Sequence, residues 1–389
     1  MSVFECVERR LEVYLGFLET MVRVESYTPD KENVDRLGSV IRKFALDHGF
    51  NVRVHSFEKA GNGLVVTLNE GASLPPIAFT GHMDTVHPKG SWGTDLIRKD
   101  GDLMYGPGAY DMKGGLATGL LVMQALADCG YRKREIRFIM IPDEELSEGL
   151  SGDAGKDFIR ENSRGCAAAL TLESGTENSI TVGRKASIRY SVDVYGKAAH
   201  AGEHYADGIS AIKEAGMKIC AIEEASDPNE NTYNCGLIRG GISPNTVPGK
   251  CSFTLYNRYW KPEQRQVVRD YVEGILGRSF IPGTRCEWRI VGERPPMDAT
   301  PGNIALADYL ISVAEKYNLE HPKAKRLSSG SDAVYTCQAG APSVCSMGMT
   351  GSGAHQMDEH VSMSSLSRRA KWIAAAIAEM PDDFLKQGE

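Results

Sequence analysis

The sequence predicts an α/β protein in which helices flank a mixed sheet and a smaller α+β domain is inserted. Two observations support this prediction. Short apolar runs typical of strands alternate with amphipathic helices over the first 182 residues. Beyond them the order becomes β-α-β-β-α-β, which is typical of a ferredoxin-like fold. We therefore expect residues 1–182 and 294–389 to form the larger domain and residues 183–293 the inserted one.

The larger domain is predicted to open with two helices. Ser2 and Glu5 form a capping box ahead of apolar residues at helical spacing. A second helix is expected from about Lys31 to Gly49, where the glycine suits a helix end. The elements expected next are the strands NVRVHSF, GLVVTL and PIAFT, a helix from Lys113 to Cys129, and the strands EIRFIMI and AAALTL.

The inserted domain is predicted from period-two alternation. Its expected elements are the strands ASIRYSVDVY, NTYNCGLIRG, KCSFTLYNRY and TRCEWRIV, with helices at Asp207 to Ala225 and Pro262 to Leu276. The segment from Gly292 to Pro301 has the composition of a linker. After it the larger domain resumes with a helix at Asn303 to Tyr317, a short strand PSVCSM and a helix from Ser364 to about Ala378.

Composition excludes several classes of protein. With 389 residues, 42% hydrophobic and 24% charged, the chain is typical of a globular protein of about two domains. A net charge of −7 without a basic run argues against a nucleic-acid partner. The start lacks the features of a secretion signal, and a long apolar span is absent, so we expect no membrane association. Nine scattered cysteines without a CxxC pair favour a reducing, cytoplasmic location.

Polar residues follow several predicted strands at the point where each strand ends. Ligands of open α/β sheets collect at the carboxyl ends of strands, so these residues are expected at one edge. Asp84 lies two residues beyond His82 and is placed to orient its imidazole. The candidate metal ligands, at strand ends, at a helix start and in a glycine-rich loop, are His82, Asp111, Glu145, Glu173 and His355.

Imidazole and carboxylate donors without thiolate suit zinc in a catalytic setting, or cobalt or manganese. Three carboxylates against two divalent ions leave a charge of about +1, which a bridging hydroxide neutralises, whereas a single ion would be overloaded with negative charge. Two ions that share Asp111 are therefore the better fit.

Plainer interpretations compete with this one. A lone histidine at a strand end is more often a satisfied polar residue than a ligand. Adjacent glutamates such as Glu144 and Glu145 are usually solvated, although four apolar residues directly precede the PDEE segment. The other histidines are assigned structural roles: His48, His55, His87, His204, His321 and His360.

The sequence does not match the motifs of several other enzyme classes. Asp111 stands where a dinucleotide fingerprint starting at Gly106 needs its third glycine. The chain contains neither GxSxG nor HExxH, so serine hydrolases and zincins are not predicted. None of the cysteines lies in a recognisable Cys-His setting.

Five motifs in order, GHMDTV, YGPGAYDMKGG, PDEE, LES and GSGAH, resemble those of the co-catalytic zinc hydrolases. That family includes acetylornithine deacetylase, succinyl-diaminopimelate desuccinylase, aminoacylase and glutamate carboxypeptidase, and the last is the nearest match. The resemblance spans essentially the whole chain. It implies a zinc-peptidase catalytic domain and an inserted ferredoxin-like domain that serves as a lid and dimerisation domain.

The resemblance also implies roles for single residues. Two Zn²⁺ per chain would be held by two sets that share Asp111, and Asp84 would orient His82. Glu144 would be the general base. The implied ligand sets are His82, Asp111 and Glu173 for one ion, and Asp111, Glu145 and His355 for the other.

In the inserted domain the resemblance implies that His200 of GKAAHAG stabilises the oxyanion, across a homodimer in dimeric members. Asn245 and Arg258 would grip a substrate carboxylate. The chain departs from the family pattern in having Ser174 where proline is frequent, and Ser331 where threonine is usual.

The function that these observations imply is metal-dependent hydrolysis of an amide bond next to a free carboxylate, in a small molecule or short peptide. A glutamate-carboxypeptidase-like metallopeptidase is the leading interpretation. An N-acyl amino acid deacylase or desuccinylase is the alternative within the same chemistry. A catalytically inactive metal-binding homologue is the third possibility, which the complete ligand set and Glu144 disfavour.

Overall fold

The helices and strands described here come from a computed structural model that describes residues 1–146 and 149–384. The helices are α1 Val3–Val22, α2 Lys31–Asp47, α3 Gly114–Asp128, α4 Asp153–Ser163, α5 Ala211–Glu223, α6 Gln264–Gly277, α7 Pro301–Lys316, α8 Ala333–Gln338 and α9 Ser364–Glu379. A π-helical turn, Ala109–Lys113, precedes α3, and a 3-10 turn, Tyr205–Asp207, precedes α5.

The strands range from two to ten residues in length. In chain order they are β1 Asn51–His55, β2 Gly63–Leu68, β3 Leu74–His82, β4 Arg98–Asp100, β5 Leu103–Tyr105, β6 Arg134–Ile141, β7 Ala168–Thr171, β8 Ser179–Arg184, β9 Ala186–Tyr195, β10 Ala199–His200, β11 Thr232–Gly240, β12 Thr246–Val247, β13 Lys250–Tyr259, β14 Arg285–Arg294, β15 Lys323–Leu327, β16 Ser343–Val344, β17 Gly351–Ser352 and β18 His360–Ser362.

The chain divides into two units by its internal contacts. The first comprises residues 1–183, 299–326 and the described chain from 331 onward. The second comprises residues 184–298 and the short segment 327–330. Among the described residues, no helix is long and apolar enough to cross a membrane.

A six-stranded mixed sheet in the order β1-β2-β6-β3-β7-β16 organises the first unit. Strands β6, β3, β7 and β16 run parallel, whereas β1 and β2 pair antiparallel. Register places His82 opposite Ile141 and Thr80 opposite Thr171, so β3, β6 and β7 end at the same edge. The polar residues that follow these strands therefore emerge side by side.

Helices α1, α3 and α9 pack against one another over an apolar core. Helix α3 approaches the sheet closely because a side chain is absent at Gly115, where a Cβ atom would clash with the carbonyl oxygen of Leu172. That contact holds α3 against the chain just before Glu173 and so locates the site.

A small antiparallel sheet, β17-β18-β5-β4, completes the first unit. Its central pair matches His360 with Tyr105. The chain leaving β5 leads to Asp111, and the loop between β17 and β18 carries His355. This sheet therefore brings two distant parts of the sequence together.

The second unit is a four-stranded antiparallel sheet, β11-β13-β9-β14, packed with α5 and α6. Two charged side chains are buried within it, since Glu214 and Lys218 are at most 1% exposed. The Lys218 ammonium donates to the carbonyls of Leu276 and Arg278 at the end of α6. The Glu214 carboxylate accepts from the backbone N–H groups of Phe280 and Ile281. The pair ties α5 to the end of α6.

The predicted fold class is confirmed, including the β-α-β-β-α-β order of the insertion. The predicted helix start at Lys113 is displaced to Gly114 because Asp111 and Met112 have non-helical backbone angles. The helix expected from Asp207 begins at Ala211, where Ser210 caps it. The helices and strands that the sequence analysis missed are α4, α8, β4, β5, β8, β10, β12, β15, β17 and β18, most of which are too short to show periodicity.

Candidate active site

His82 is the last residue of β3 and is only 2% exposed. Its Nδ1 lies 3.1 Å from the backbone carbonyl oxygen of Asp84, which can only accept, so Nδ1 donates. Nε2 then faces carboxylates, 3.2 Å from Asp111 Oδ1 and 3.9 Å from Glu173 Oε2. Burial opposes a charge on the imidazole, but these acidic partners raise the pKa of His82 well above its ordinary value. A proton or a cation is therefore favoured at Nε2.

Asp111 lies in the π-helical turn before α3, with its carboxylate between two histidines. Oδ1 faces His82, and Oδ2 lies 3.4 Å from His355 Nε2. Burial would raise the pKa of Asp111, but the two imidazoles lower it below the ordinary value. The two oxygens of one carboxylate thus face two separate positions.

The second of these positions is completed by Glu145, whose Oε2 lies 3.1 Å from His355 Nε2. Burial raises the pKa of Glu145 to about 7, and hydrogen bonds to Asp111 and Glu145 raise that of His355 to about 10. The other oxygen of Glu145, Oε1, is buried and has no hydrogen-bond partner among the described residues. A buried carboxylate oxygen without a donor is suited to a metal ion.

Asp84 is fully buried beneath this cluster. Its carboxylate accepts from the Thr28 hydroxyl at 2.7 Å and from the backbone N–H groups of Glu144 and Glu145, each at 3.1 Å. Its Oδ1 also lies 3.3 Å from His82 Nδ1. One carboxylate therefore contacts His82 and holds the backbone of the two adjacent glutamates.

The donor set fits divalent metal ions. Ligand atoms of His82, Asp111 and Glu145 all lie within 4.8 Å of one another, as do those of His82, Glu144 and Glu173. Imidazole and carboxylate are donors that zinc, cobalt and manganese accept. So many carboxylates at this spacing repel one another unless positive charge lies between them. The first unit thus brings together all five predicted ligands, together with Glu144 and Asp84.

The structure places His200 and Asn245 in the second unit, on neighbouring segments. His200 pairs with Thr246 through the short strands β10 and β12, and Ala201 donates to the carbonyl of Asn245 at 2.9 Å. Nδ1 of His200 accepts from two backbone N–H groups, those of Gly202 and Glu203, both at 3.2 Å. In the neutral ring the proton is therefore on Nε2, which makes the exposed edge of His200 a donor.

Arg258 lies elsewhere in the second unit, at the end of β13. Its Nη1 donates to the carbonyl of Ser328 at 2.6 Å, and Arg184 donates to Ser329 Oγ at 2.6 Å. Arg294 packs against Gly330 in the same segment. Burial, together with these neighbouring cations, lowers the pKa of Arg258. Three guanidinium groups thus converge on residues 328–330, and the sequence analysis identified only one of them.

Sequence reasoning also assigned no role to Glu359, which is 1% exposed beside the turn that carries Asp111. Its carboxylate accepts from the backbone N–H of Asp111 at 2.9 Å and faces His87 Nε2 at 2.7 Å. His87 thus has a structural contact, as expected. The acidic pair that follows GSGAH was the available signal for Glu359, but its spacing could not show which loop the carboxylate reaches.

Comparison with known proteins assigns the chain to a family. The model of peptidase family M20/M25/M40 matches residues 78–379, which is more than half of the chain. Carboxypeptidase G2 of Pseudomonas sp. (strain RS-16) is 27% identical over 388 residues, covering 97% of this chain and 92% of that protein. The succinyl-diaminopimelate desuccinylase of Afipia carboxidovorans is 27% identical over 351 residues, covering 84% of this chain and 89% of the relative.

Solved structures support the fold. A tripeptidase from Staphylococcus aureus superposes with a TM-score of 0.78 at 22% identity. The match covers 94% of this chain and 97% of that one. At this identity the likeness establishes the architecture of the chain, including the inserted unit.

Metal binding is expected to strengthen as pH rises, because the cations must displace protons from His82 and His355. The raised pKa of His355 also means that its pairs stabilise the metal-free protein fully below pH 6.5, the ordinary value, and are lost as pH rises through about 10. Calorimetric titration with Zn²⁺ in buffers of different ionisation enthalpy should give about two ions per chain and net proton release at pH 7. Binding that releases no protons would contradict protonated imidazoles in the metal-free cluster.

Proposed function

The chain belongs to peptidase family M20/M25/M40, and from that premise we propose that it is a two-zinc hydrolase of amide bonds next to a free carboxylate. A glutamate-carboxypeptidase-like metallopeptidase is the form that we favour, and carboxypeptidase G2 is a relative over nearly the whole chain. Cobalt or manganese are possible substitutes for zinc.

The position of Asp111 carries this proposal. Its two oxygens face His82 and His355 separately, which is the arrangement expected of a carboxylate shared by two ions. His82, Asp111 and Glu173 would hold one ion, and Asp111, Glu145 and His355 the other. Bound there, the ions would supply Lewis acidity toward the scissile carbonyl and the attacking water.

Glu144 is the proposed general base. Asp84 fixes its backbone N–H, and the half-buried side chain lies within 4.8 Å of the ligand atoms of His82 and Glu173. From there its carboxylate takes a proton from the attacking water and passes it to the leaving nitrogen. Asp84, which contacts the imidazole and both glutamate amides, acts by orienting His82.

His200 is the proposed donor to the oxyanion. Its Nδ1 accepts from two backbone N–H groups, so Nε2 carries a proton and is the donor of the ring. Small residues flank it on both sides, which favours close approach to a substrate.

The convergence of Arg184, Arg258 and Arg294 supports the specificity for a substrate carboxylate. A guanidinium group binds a carboxylate through two parallel hydrogen bonds, and clustered cations attract an anion from solution. Arg258 is assigned the carboxylate contact. Asn245 is proposed as a neutral donor to the substrate, but within one chain it lies beside His200 and away from Arg258.

An N-acyl amino acid deacylase or desuccinylase remains the second candidate, because a desuccinylase is also a relative over most of the chain. Both reactions release an amino acid whose carboxylate lies on the nitrogen side of the scissile amide, and they differ in the acyl group, which is aminoacyl or peptidyl in the first and a simple acyl group in the second. Hydrolysis of N-acyl amino acids against dipeptides by the zinc-loaded protein separates them. Failure on both sets with metal bound would favour an inactive homologue.

We propose a homodimer formed through the edge strand β11. Leu237 and Ile238 are exposed on this strand, and exposed Ile242 lies just beyond it. An edge strand with exposed aliphatic side chains favours pairing with a second strand, here from another copy of the chain. A cytoplasmic location is proposed because the cysteines are free in the structure.

Replacing each of the two adjacent glutamates with glutamine in turn should separate catalysis from metal binding. Glu144→Gln should keep two zinc ions and lose several orders of magnitude in kcat, because only the proton acceptor is removed. Glu145→Gln should instead lower the metal content. Zinc per chain by elemental analysis, measured beside kcat, checks both variants. The opposite pattern would mean that the two roles are swapped.

Arg258→Ala should lower kcat/KM by about 10² to 10³ on substrates with a free α-carboxylate, which corresponds to roughly 2–4 kcal/mol of transition-state binding. On the same substrates with the carboxylate amidated the loss should be small. Arg289→Ala, an exposed arginine on β14, is the matched control and should leave both rates unchanged. Equal losses on both substrates would contradict carboxylate recognition.

His200→Ala should reduce kcat by about 10²-fold or more without changing metal content. His204→Ala, an exposed histidine of the same loop, is the control. If His200 acts across the dimer, mixing His200→Ala with Glu144→Gln subunits should restore part of the activity. A verified heterodimer without restored activity would show that His200 acts within its own subunit.

A further inference from the structure

Glu359 is a buried carboxylate for which the proposed reaction provides no role. Both of its oxygens are fully used. Oε1 accepts from the backbone N–H groups of Tyr110 and Asp111, each at 2.9 Å. Oε2 lies 3.1 Å from the N–H of Gly108 and 2.7 Å from His87 Nε2. Three of the four donors belong to the single turn that presents Asp111.

The backbone of Glu359 takes part in the same connection. Its carbonyl oxygen accepts from the N–H of Gly106 at 3.1 Å. The next residue, His360, begins β18 and pairs with Tyr105 of β5. Glu359 is therefore hydrogen-bonded to the chain at several points between the end of β5 and Asp111.

Glu359 also lies four residues after His355, in the loop between β17 and β18. One short segment thus carries a histidine that faces one oxygen of Asp111 and a carboxylate that holds the N–H of Asp111. Movement of this loop would displace both together. The connection spans 248 residues of sequence and depends on the small sheet.

Hydrogen bonds from Lys113 to Gly108 at 2.8 Å and from Gly114 to Ala109 close the turn, but the N–H groups of Tyr110 and Asp111 within it are taken up by Glu359. Asp111 and Met112 have non-helical angles, so their part of the turn lacks regular helical hydrogen bonds. A carboxylate shared between two ions must be held in both position and orientation, and residues beyond the ligands commonly supply that hold. The hydrogen bond to the N–H of Asp111 itself acts directly on the ligand.

We propose that Glu359 is a positioning residue that fixes the bridging carboxylate of Asp111, with His87 as its fourth donor. The inference rests on the proposed function, in which Asp111 is shared by two metal ions. Its effect is on metal affinity and on the geometry of the metal pair, beyond any contribution to folding.

Glu359→Gln tests this proposal with little change in volume. One oxygen of the carboxylate becomes an NH₂ group, which cannot accept from backbone N–H groups. At the Oε1 position the amide faces the N–H groups of Tyr110 and Asp111, and at the Oε2 position it faces that of Gly108 and forces His87 into its other tautomer. Affinity for the more weakly held ion should fall by about 10- to 100-fold, the range typical for residues that support metal ligands.

Two matched variants separate positioning from folding. Glu214→Gln makes the same change at a carboxylate that is equally buried and also accepts backbone N–H groups, but lies in the second unit. It should lower the thermal midpoint without changing metal affinity. Asp358→Asn changes the exposed neighbour of Glu359 and should alter neither.

The measurements are zinc affinity by competition with a chromophoric chelator, the visible spectrum of the Co²⁺-loaded protein, and kcat and KM. Glu359→Gln should lower the affinity for the more weakly held ion, change the Co²⁺ spectrum and lower kcat more than it raises KM. Wild-type affinity and spectrum in this variant would overturn the inference. An equal fall in affinity in Glu214→Gln would overturn it as well, because general destabilisation would then explain the loss.

Failure of the proposed function gives a different result. If the wild-type protein does not bind two ions, or if Asp111→Asn binds them as the wild type does, the shared role of Asp111 is wrong. If the wild type binds two ions, Asp111→Asn does not, and Glu359→Gln behaves as the wild type, only the inference about Glu359 fails.

Discussion

The cost of burying negative charge governs the loops at the carboxyl edge of the six-stranded sheet. A buried carboxylate is tolerated only where donors or cations compensate it. Asp84 and Glu359 meet this requirement with hydroxyl, imidazole and backbone N–H groups. Asp111 and Glu145 face imidazoles instead, and one oxygen of Glu145 has no donor among the described residues. Asp84 and Glu359 thus stabilise the loops, whereas Asp111 and Glu145 are the carboxylates that these loops place in the candidate metal site.

The parallel strands provide the common edge, but they supply only part of the cluster. His82 and the glutamates leave β3, β6 and β7 side by side because these strands end in register. Asp111 and His355 arrive from a different direction, through the small sheet built on β5 and β18. The cluster therefore depends on both the six-stranded sheet and the small sheet. Asp84 holds the glutamates that follow β6, and Glu359 holds the turn that carries Asp111.

The second unit presents a different chemistry. Its functional candidates are a histidine whose Nδ1 accepts from two backbone N–H groups and a group of arginines around residues 328–330. Its own stability rests on an apolar core and on the buried pair of Glu214 and Lys218, which satisfy backbone groups at the end of α6. The candidate metal-binding cluster and the groups that would recognise an anion thus belong to separately built units.

The sequence by itself determined the fold class, the capping box at Ser2 and the β-α-β-β-α-β order of the insertion, because each is a local pattern of apolar and capping residues. It also placed His82, Glu145 and Glu173 at strand ends, for which a topological rule suffices. Tertiary structure alone decided which oxygen of Asp111 faces which histidine, which groups contact the ring nitrogens of His82 and His200, and the bond from the N–H of Asp111 to Glu359. Those contacts join residues far apart in the chain, and their distances depend on how sheets and turns pack, which periodicity does not encode.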